Sequence, residues 1–561
     1  MSDSDMPEAF PDFVSGLTGD ATPDEDIRRS DQAENPSNTV FKYIGHGHRW
    51  YDPVYIVLQF FQYSRLGRRL PTGWRRRFYY MSNYLVQFNA VQRMRAGGGS
   101  KLDGPLNLPE DEHVTIPGIW VVDYFPPSLI DDLDKAIRHN HWDFRPHIGM
   151  GESNKEELTS SRRGQGRAWW RITDIAQPRN GHGGANDGRG KLPREFSAVE
   201  LKGVPIGEGI TAVIAFFPLS KSGSAIVDEV WHDAHEPALA RSNDGLVVAE
   251  DKRWVAFRQT QAARAKLHGL ARTWLQSRCP GAFAQSQEEQ PVMDFLLLDQ
   301  FDPFVGENVD RETEDCMRAL GLTESKMTWQ TSLELPCLLL ERSNPEFTPA
   351  LQGGRTWALW GNRDSTMAKN LDFKHYGISD QSSALAHYVD DRMGDLVVRL
   401  GLSEFLDLLK AESALMRDGA RTQHGKFGRK DLERLRRRFL TASLDFSSIE
   451  LDVRQYNSRR WRDREALFVL DYTPWMRRSD EEAGCKTPKP VQVNKVLRKR
   501  QNKAARDLVV FDRSYRQILS TVASIGASID AFKIQRYAVW IAVSSAILAL
   551  VSLLVSLSRS F

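Results

Sequence analysis

The feature that most constrains this chain is an apolar segment near the end of its sequence. Residues Tyr537–Leu557 form a run of 21 positions without Asp, Glu, Lys or Arg. Because an α-helix rises 1.5 Å per residue, this run would reach about 31 Å, the thickness of a bilayer's hydrocarbon core. The alternative is a buried core helix, but core helices rarely extend this far without a charge. The sequence therefore predicts one C-terminal transmembrane helix at 537–557.

The rest of the sequence has the composition of an ordinary globular protein, not of a polytopic transporter. Of its 561 residues, 41% are hydrophobic and 26% are charged, and this length predicts roughly two to four domains. Residues 1–38 carry ten acidic and two basic side chains, so the remainder holds +10 of a total net charge of +2. A basic body suits the cytoplasmic face of an anionic membrane, or nucleic acid.

Three features predict the compartment and the orientation. The acidic N-terminus, MSDSDMPEAF, lacks the basic and apolar regions of a signal peptide. The four cysteines are scattered and never in CxxC spacing, which favours a reducing compartment. Lys533 and Arg536 precede the apolar segment, whereas Arg559 follows it, so the positive-inside rule places the large N-terminal body in the cytoplasm.

Local patterns predict an α+β cytoplasmic domain, followed by an α-helical coiled-coil hairpin stalk and the transmembrane helix. Strands and helices between 113 and 375 do not alternate regularly, which favours α+β over a doubly wound sheet. The predicted parts are an acidic disordered tail (1–38), an aromatic and basic helical segment with a linker (39–112), the α+β domain (113–375), a helical connector (376–424), the antiparallel hairpin stalk (425–536) and the transmembrane helix (537–557).

Within the α+β region the residue pattern predicts individual helices, strands and one loop. A helix is predicted after Ser128 and a surface loop over 149–194, which is rich in Gly, Arg, Asn and Ser. A long helix is predicted at 254–277. Strands are predicted at 119–125, 196–204, 209–217, 295–298, 332–340 and 356–360.

Two apolar seams with strict 3-4 spacing predict the stalk. Each covers 25 residues, or about 36 Å of helix, and such a sustained 3.5-residue repeat favours coiled-coil packing. The second seam continues in phase into the apolar segment, so one unbroken helix is predicted. The alternative is that the seams face a globular core. Their members are Leu432, Leu435, Phe439, Ala442, Phe446, Ile449, Val453 and Tyr456, and Leu508, Phe511, Tyr515, Ile518, Val522, Ile525, Ile529 and Phe532.

End-to-end pairing of these seams predicts a basic cluster beside the membrane. Leu432 would then lie opposite Phe532, and each nearby basic residue would add about 1 kcal/mol of attraction to anionic headgroups. A solvated helix face is the alternative. The juxtamembrane residues are Lys430, Arg434, Arg436, Arg437, Arg438, Lys533 and Arg536.

Inside the apolar segment, small residues predict contacts between helices. Ser545, Ala549, Ser552 and Ser556 form a small, partly polar face. Such faces let helix backbones approach closely, and hydroxyls can bond across helices. The sequence thus predicts a homo-oligomer in the lipid bilayer, although transmembrane helices also tolerate these residues without contact.

Two residue patterns could hold a metal ion, but neither matches a complete metal-binding motif. On a helix, His232 and His235 would share a face, with Asp228 one turn earlier, and such a set can hold Zn²⁺. The spacing is not HExxH, and ordinary surface residues are the alternative. A second pattern, His139-x-His141-x-Asp143, has Phe144 where a metallo-β-lactamase motif has histidine. The sequence therefore assigns no metal and no cofactor.

Other patterns do not complete a motif. The chain has no GxxxxGK[ST], and Gly188-Arg-Gly-Lys191 lacks the first glycine. Ser222-Gly-Ser224 is not GxSxG. A basic and aromatic patch suits a membrane interface or a solvated helix more than nucleic acid, which is an unlikely partner. Its members are Arg65, Arg68, Arg69, Trp74, Arg75, Arg76, Arg77, Phe78, Tyr79 and Tyr80.

The leading functional expectation is a non-enzymatic, tail-anchored protein whose cytoplasmic domain senses or scaffolds a partner and whose stalk and span drive oligomerisation. The layout resembles that of the CorA cation channels, which implies an ion-conducting or membrane-permeabilising assembly as one alternative. The CorA Gly-Met-Asn signature does not follow the span. A tethered metal-dependent hydrolase using His232, His235 and Asp228 is the other alternative.

Overall fold

The structure, a computed structural model, divides the chain into two compact units. The first unit is Met1–Leu106 with Ala234–Val255, and the second is Asn107–Asp233 with Ala256–Phe561. The backbone is described for residues 44, 49–65, 69–96, 106–143, 153–177, 192–242, 245–305, 311–322, 328–342, 355–423, 429–458 and 466–558, and side chains are not described at 311, 419–423, 429–439, 518–534 and 553–558. The predicted acidic tail, 1–38, lies outside these residues.

The first unit consists of two helices and a hairpin. Helices α1 (Asp52–Tyr63) and α2 (Thr72–Arg95) pack around a small cluster that includes Tyr51 and Leu85. The Tyr51 hydroxyl donates to Asn89 Oδ1 at 2.9 Å. Strands β5 (Ala238–Arg241) and β6 (Val247–Glu250) pair antiparallel, and polar side chains of α2 bind the β6 backbone, since Ala249 N donates to Gln87 Oε1 at 2.9 Å.

The second unit has a mixed α/β fold. Its strands are β1 (Val114–Phe125), β2 (Trp170–Ala176), β3 (Ala198–Pro205), β4 (Thr211–Pro218), β7 (Val292–Leu298), β8 (Thr328–Ser332), β9 (Leu339–Arg342), β10 (Thr356–Asn362), β11 (Phe468–Tyr472) and β12 (Val491–Gln492). Its helices are α3 (Ile130–His139), α4 (Asn154–Arg162), α5 (Lys221–His232), α6 (Lys252–Arg278, beginning in the first unit), α7 (Ala282–Gln285), α8 (Arg311–Ala319), α9 (Arg363–Lys369), α10 (Gln381–Gln423), α11 (Arg429–Ser458), α12 (Pro474–Glu482) and α13 (Val493–Ser558).

The ten strands of this unit form one sheet in the order β12-β11-β8-β9-β10-β7-β1-β4-β3-β2. The β7–β10 pair is parallel, whereas β1 pairs antiparallel with both β4 and β7. Strands β1, β4 and β7 are apolar along nearly their whole length, and each of their residues is buried except the half-buried Thr115. Such continuous burial requires cover on both faces of the sheet.

Helices supply that cover. On one face, Trp120, Phe216 and Phe295 join residues of α10 in the main hydrophobic core, and Trp120 Nε1 donates to Asp390 Oδ1 of α10 at 2.8 Å. On the other face, α6 packs against β4 and β7. There the Trp274 and Phe217 rings lie edge to face with centroids 5.7 Å apart. The centre of the unit is therefore a sheet between helices.

Helix α11 runs antiparallel to α13 where their side chains are described. Ser443 Oγ donates to Asp512, whereas Asn457, further along α11, donates to Asn502 Oδ1 at 3.0 Å. Gln501 of α13 also donates to the Arg399 carbonyl of α10 at 2.6 Å. This part of both seams therefore lies in the core of the α/β unit, together with α10. Its buried apolar members are Phe446, Ile449, Val453, Tyr456 and Leu508.

Several sequence predictions are confirmed and others need correction. Helix α6 and strands β1, β3, β4, β7 and β10 match their predicted positions within a few residues, and α13 is unbroken. The strand predicted at 332–340 is wrong, because the chain reverses between β8 and β9 while Leu335 and Leu338 enter the core. The loop predicted at 149–194 contains α4 and β2. A capping box in which Ser153 and Glu156 exchange hydrogen bonds begins α4.

Candidate functional site

Helix α13 carries the first candidate site, its apolar C-terminal part. Within the described chain, the window Gln535–Ser552 is the one candidate membrane span, with a mean hydropathy of 1.3 and 0% of it buried. By length and composition this helix is apolar enough to cross a membrane. Its large apolar side chains are exposed, and those of Trp540 and Leu548 are more than half exposed. No other described element covers this apolar surface.

The small, partly polar face lies on this exposed part of the helix. Ser545 Oγ donates to the Ile541 carbonyl and Ser552 Oγ to the Leu548 carbonyl, each at 2.9 Å. Ala549 is exposed between them, and the side chain of Ser556 lies outside the described residues. Because both hydroxyls bond within their own helix, this surface satisfies its polar groups without water.

The predicted juxtamembrane residues lie on two helices, the first part of α11 and the part of α13 before the apolar window, and few of their side chains are described. The Ser443–Asp512 hydrogen bond sets a register between these helices that brings Leu432 level with Ala523 rather than with Phe532. Arg536 is exposed at the start of the apolar window. Lys533 lies three residues earlier on α13. Lys430, Arg434, Arg436, Arg437 and Arg438 lie on the first part of α11, and their side chains, like that of Lys533, are outside the described set.

A stripe of exposed leucines follows one face of α11. Leu440, Leu444 and Leu451 are each more than half exposed. Successive spacings of four and seven residues put them within about 40° of one another around the helix. Val510 and Phe511 of α13 are exposed as well. We refer to Leu440, Leu444 and Leu451 as the leucine stripe.

The second candidate site lies where α5 packs against the start of β1. Two residues of α5 at i, i+4 spacing contact this strand. Ser224 Oγ donates to the Ile116 carbonyl at 2.9 Å, and one turn later Asp228 Oδ1 accepts from Val114 N at 2.8 Å. His232 is one turn further along. Because α5 and β1 are joined in this way, the last turn of α5 reaches the residue before β1, His113.

His113, Asp228 and His232 form a compact cluster. Asp228 Oδ2 lies 2.9 Å from His113 Nδ1, and Asp228 Oδ1 lies 3.6 Å from His232 Nδ1. The two imidazole rings have centroids 5.0 Å apart. One ligand atom from each residue can be chosen so that all three lie within 4.8 Å of one another. This His–Asp–His set offers the donors that zinc sites use.

The carboxylate of Asp299 lies beside this cluster. Asp299 forms an ion pair with Arg363, with Nη1 and Oδ1 3.1 Å apart, and its backbone N donates to the His113 carbonyl at 3.1 Å. Burial raises the pKa of Asp299, and the charge of Asp228 raises it further, while Arg363 and His113 lower it. The cluster therefore carries a net negative field that favours a cation.

The structure corrects the sequence-based metal candidates. Asp228 and His232 do come together, but α5 ends at His232 and Asp233 is extended, so His235 does not share their helical face. Helix α3 ends at His139, and His141 adopts a positive φ of 57° in the turn that follows. Residues 178–191, which include the glycine pattern ending at Lys191, lie outside the described residues.

Two other sequence patterns have ordinary structural roles. Ser220 caps the start of α5 by accepting from Gly223 N at 3.1 Å, and Ser222 lies in the first turn. In the basic patch, the guanidinium of Arg77 lies 5.7 Å from the centre of the Trp74 ring, and that of Arg76 lies 5.4 Å from the Tyr80 ring. Both are cation–π contacts within α2.

His113 was missed by the sequence reasoning, because it precedes Asp228 by 115 residues and no spacing rule connects them. Comparison of this chain with protein-family models, with curated proteins and with solved structures found no match.

Proposed function

We propose that this protein is a single-pass membrane protein that self-associates through its long helices and presents its α/β unit in the cytoplasm as a sensing or scaffolding module. The observation that carries this proposal is the uncovered apolar end of α13. That helix is anchored in the core of the α/β unit through Gln501 and Leu508, and it continues without interruption into the candidate span. The α/β unit and the candidate span are thus joined by one continuous helix.

The exposed surface supports a lipid environment. Nine large apolar side chains are exposed in this part of α13, and burying each is worth about 1.5 kcal/mol or more. Leaving them in water therefore costs on the order of 10 kcal/mol. They are Tyr537, Val539, Trp540, Ile541, Val543, Ile547, Leu548, Leu550 and Val551.

The leucine stripe supports self-association. It lies on α11, which packs against α13, so copies of the chain inserted side by side in one membrane would share a common helix direction. The stripes of two copies would then face each other at matching heights. Parallel apolar stripes at heptad-like spacing are the usual basis of helix association. We therefore assign the stripe to contacts with a second copy.

Membrane insertion is tested with arginine substitutions at the middle of the span. Ile547→Arg combined with Leu548→Arg adds about 5–7 kcal/mol to the cost of insertion, so this variant should leave the membrane fraction under alkaline carbonate extraction. The matched control is Val305→Arg with Leu333→Arg, two exposed apolar residues of the α/β unit, which should remain in the membrane with the parent protein. Release of the parent protein itself into the supernatant would refute the proposal.

Self-association is tested separately in detergent. The double variant Leu444→Arg and Leu451→Arg should shift the crosslinked species towards monomer, because two charges then face each other across the contact. It should remain in the membrane fraction. The Val305→Arg, Leu333→Arg protein again serves as the control and should crosslink like the parent. A parent protein that is monomeric at all concentrations tested would exclude the oligomer while leaving the membrane anchor intact.

A further inference from the structure

We propose that His113, Asp228 and His232 bind one divalent transition-metal ion of the Zn²⁺ class on the α/β unit. The inference stands apart from the membrane proposal, because all three residues belong to the second unit and none lies on α13. It also changes the ligand set expected from the sequence, since His113 takes the place of His235.

The three side chains lie close enough together to share one metal ion. With ligand bonds of about 2.0–2.1 Å, two ligand atoms of a tetrahedral zinc ion lie about 3.4 Å apart. His113 Nδ1 lies 2.9 Å from Asp228 Oδ2, and His232 Nδ1 lies 3.6 Å from the other carboxylate oxygen, Oδ1. When one ligand atom is chosen from each residue, all three lie within 4.8 Å of one another. Binding then requires small side-chain rotations, and the side chain of His113, which is 49% exposed, has room to rotate.

Two sets of backbone contacts hold the ligands in place before any ion arrives. Glu112 accepts from the backbone N of Asp299 at 2.9 Å and from that of Phe301 at 2.7 Å, which fixes the segment carrying His113. Asp228 is oriented by Val114 N at 2.8 Å. Ligands that are already positioned lose less entropy on binding, so they bind more tightly.

The electrostatics and the exposure also suit a cation. His232 lies in the last turn of α5, where the helix dipole favours positive charge. Asp228 and the neighbouring Asp299 supply two carboxylates, against the single guanidinium of Arg363. The side chains of Asp228 and His232 are 20% and 29% exposed, so the fourth position of the ion faces water. An open position of this kind is typical of zinc sites that bind a water or a ligand.

An ordinary ion pair is the competing explanation, and the second histidine argues against it. The His113–Asp228 pair needs no further partner. Yet His232 places its ring 5.0 Å from that of His113 and its Nδ1 3.0 Å from the Asp228 carbonyl. Two imidazoles and one carboxylate supply three ligands of one ion, and the Asp228 carbonyl is available to orient the His232 ring.

The proposal is tested by Co²⁺ binding to full-length protein in detergent, purified without a histidine tag and treated with chelator. The expected result is one equivalent of Co²⁺ per chain, with visible d–d absorption of tetrahedral intensity that Zn²⁺ abolishes by competition. His113→Ala and His232→Ala should each weaken binding at least tenfold. His139→Ala, an exposed histidine outside the cluster, is the matched control and should bind like the parent.

Thermal melting of each variant shows whether it is folded, and His113 is exposed enough for its truncation to be tolerated. A second readout is stability, because Zn²⁺ should raise the melting temperature of the parent and of His139→Ala but not of His113→Ala. Binding of substoichiometric Co²⁺ by the parent, or equal binding by the parent and a folded His113→Ala, would overturn the proposal. Loss of binding in His139→Ala alone would place the ion at the α3 turn and would overturn it equally.

Discussion

At the scale of single residues, the most informative group is a buried ionic network between α6 and β7. Arg264 and Asp294 are both fully buried. The guanidinium donates to both carboxylate oxygens, at 2.5 and 2.6 Å, and Nη1 donates to the Leu320 carbonyl at 2.7 Å. His268 Nε2 lies 2.8 Å from Asp294 Oδ2. Burial alone would raise the pKa of Asp294, but the charges of Arg264 and His268 outweigh it and lower that pKa.

We expect Asp294→Asn to lower the free energy of unfolding by about 3–5 kcal/mol, because it leaves the Arg264 charge buried without its counterion. The matched control is Asp134→Asn, which removes an exposed i, i+4 pair with Arg138 and should cost less than about 1 kcal/mol. Denaturant unfolding in detergent, followed by tryptophan fluorescence, measures both. Equal losses in the two variants would show that the buried network is not a stabilising unit.

Asp123 predicts a specific dependence of stability on pH. Burial raises its pKa to about 6, although Gln290 and the amides of Phe283 and Ala284 donate to it. A carboxyl whose folded pKa exceeds its unfolded value near 3.8 stabilises the fold fully below that unfolded value. This contribution, about 3 kcal/mol, is lost as the pH rises through 6.

The unfolding free energy of the parent protein should therefore contain a component that falls between pH 4 and pH 6 and is flat above. Asp123→Asn cannot titrate, so the difference between the two proteins isolates this component. Parallel curves for parent and variant across this range would contradict the shifted pKa.

The candidate metal cluster shows what residue patterns can predict. The i, i+4 spacing of Asp228 and His232 was visible because both residues lie on one helix. His113 was not, because its position depends on how α5 packs on β1, through Ser224 and Ile116. Local spacing reports neighbours on one element. It carries no information about a side chain brought in by tertiary packing.

At the scale of secondary-structure elements, the hydrophobic periodicity predicted the long helices α11 and α13. It did not predict correctly which residues of α13 form the buried face. The predicted seam of α13 passes through Phe511, which is 53% exposed. Leu508 of the predicted seam is buried, but the buried face continues through Ala505 and Asp512 rather than through Phe511. Asp512 accepts a hydrogen bond from Ser443, and a pattern based on hydrophobicity cannot anticipate a polar pair inside an interface.

This shift of the seam predicts contrasting effects for two neighbouring truncations. Leu508→Ala should cost about 2–5 kcal/mol of unfolding free energy, because it leaves a cavity in the core. Phe511→Ala, although it removes a larger side chain, should cost less than about 0.5 kcal/mol in the monomer. Denaturant unfolding at low protein concentration compares them. A larger loss for Phe511→Ala than for Leu508→Ala would restore the seam as first predicted.

At the scale of the whole molecule, the sheet joins segments that are far apart in sequence. Phe468 of β11 pairs with Ser332 of β8, so the segment between α11 and α13 contributes strands to the α/β unit. The sequence placed this region within a helical hairpin stalk, because β11 and β12 are short and β11 pairs with β8, more than 130 residues earlier in the chain. The apolar segment, by contrast, was identifiable at once, because its length and lack of charge are local properties.

The orientation of the molecule gives the last prediction, and the cysteines make it measurable. Cys485, between α12 and β12, is exposed, whereas Cys279 and Cys316 are buried and Cys337 is half-buried. If the α/β unit faces the cytoplasm, a membrane-impermeant maleimide should modify Cys485 only after the cells are permeabilised, and Cys485→Ser should remove most of that signal.

The complementary probe is Ser560→Cys in the Cys485→Ser background, since residue 560 lies beyond the apolar segment. If Lys533 and Arg536 hold the preceding side in the cytoplasm, the new cysteine should be modified in intact cells when the host membrane is the plasma membrane. Modification of Cys485 in intact cells, with Ser560→Cys protected, would reverse the orientation. Modification of neither before permeabilisation and both after it would indicate an internal membrane, or no crossing, and alkaline carbonate extraction separates these two outcomes.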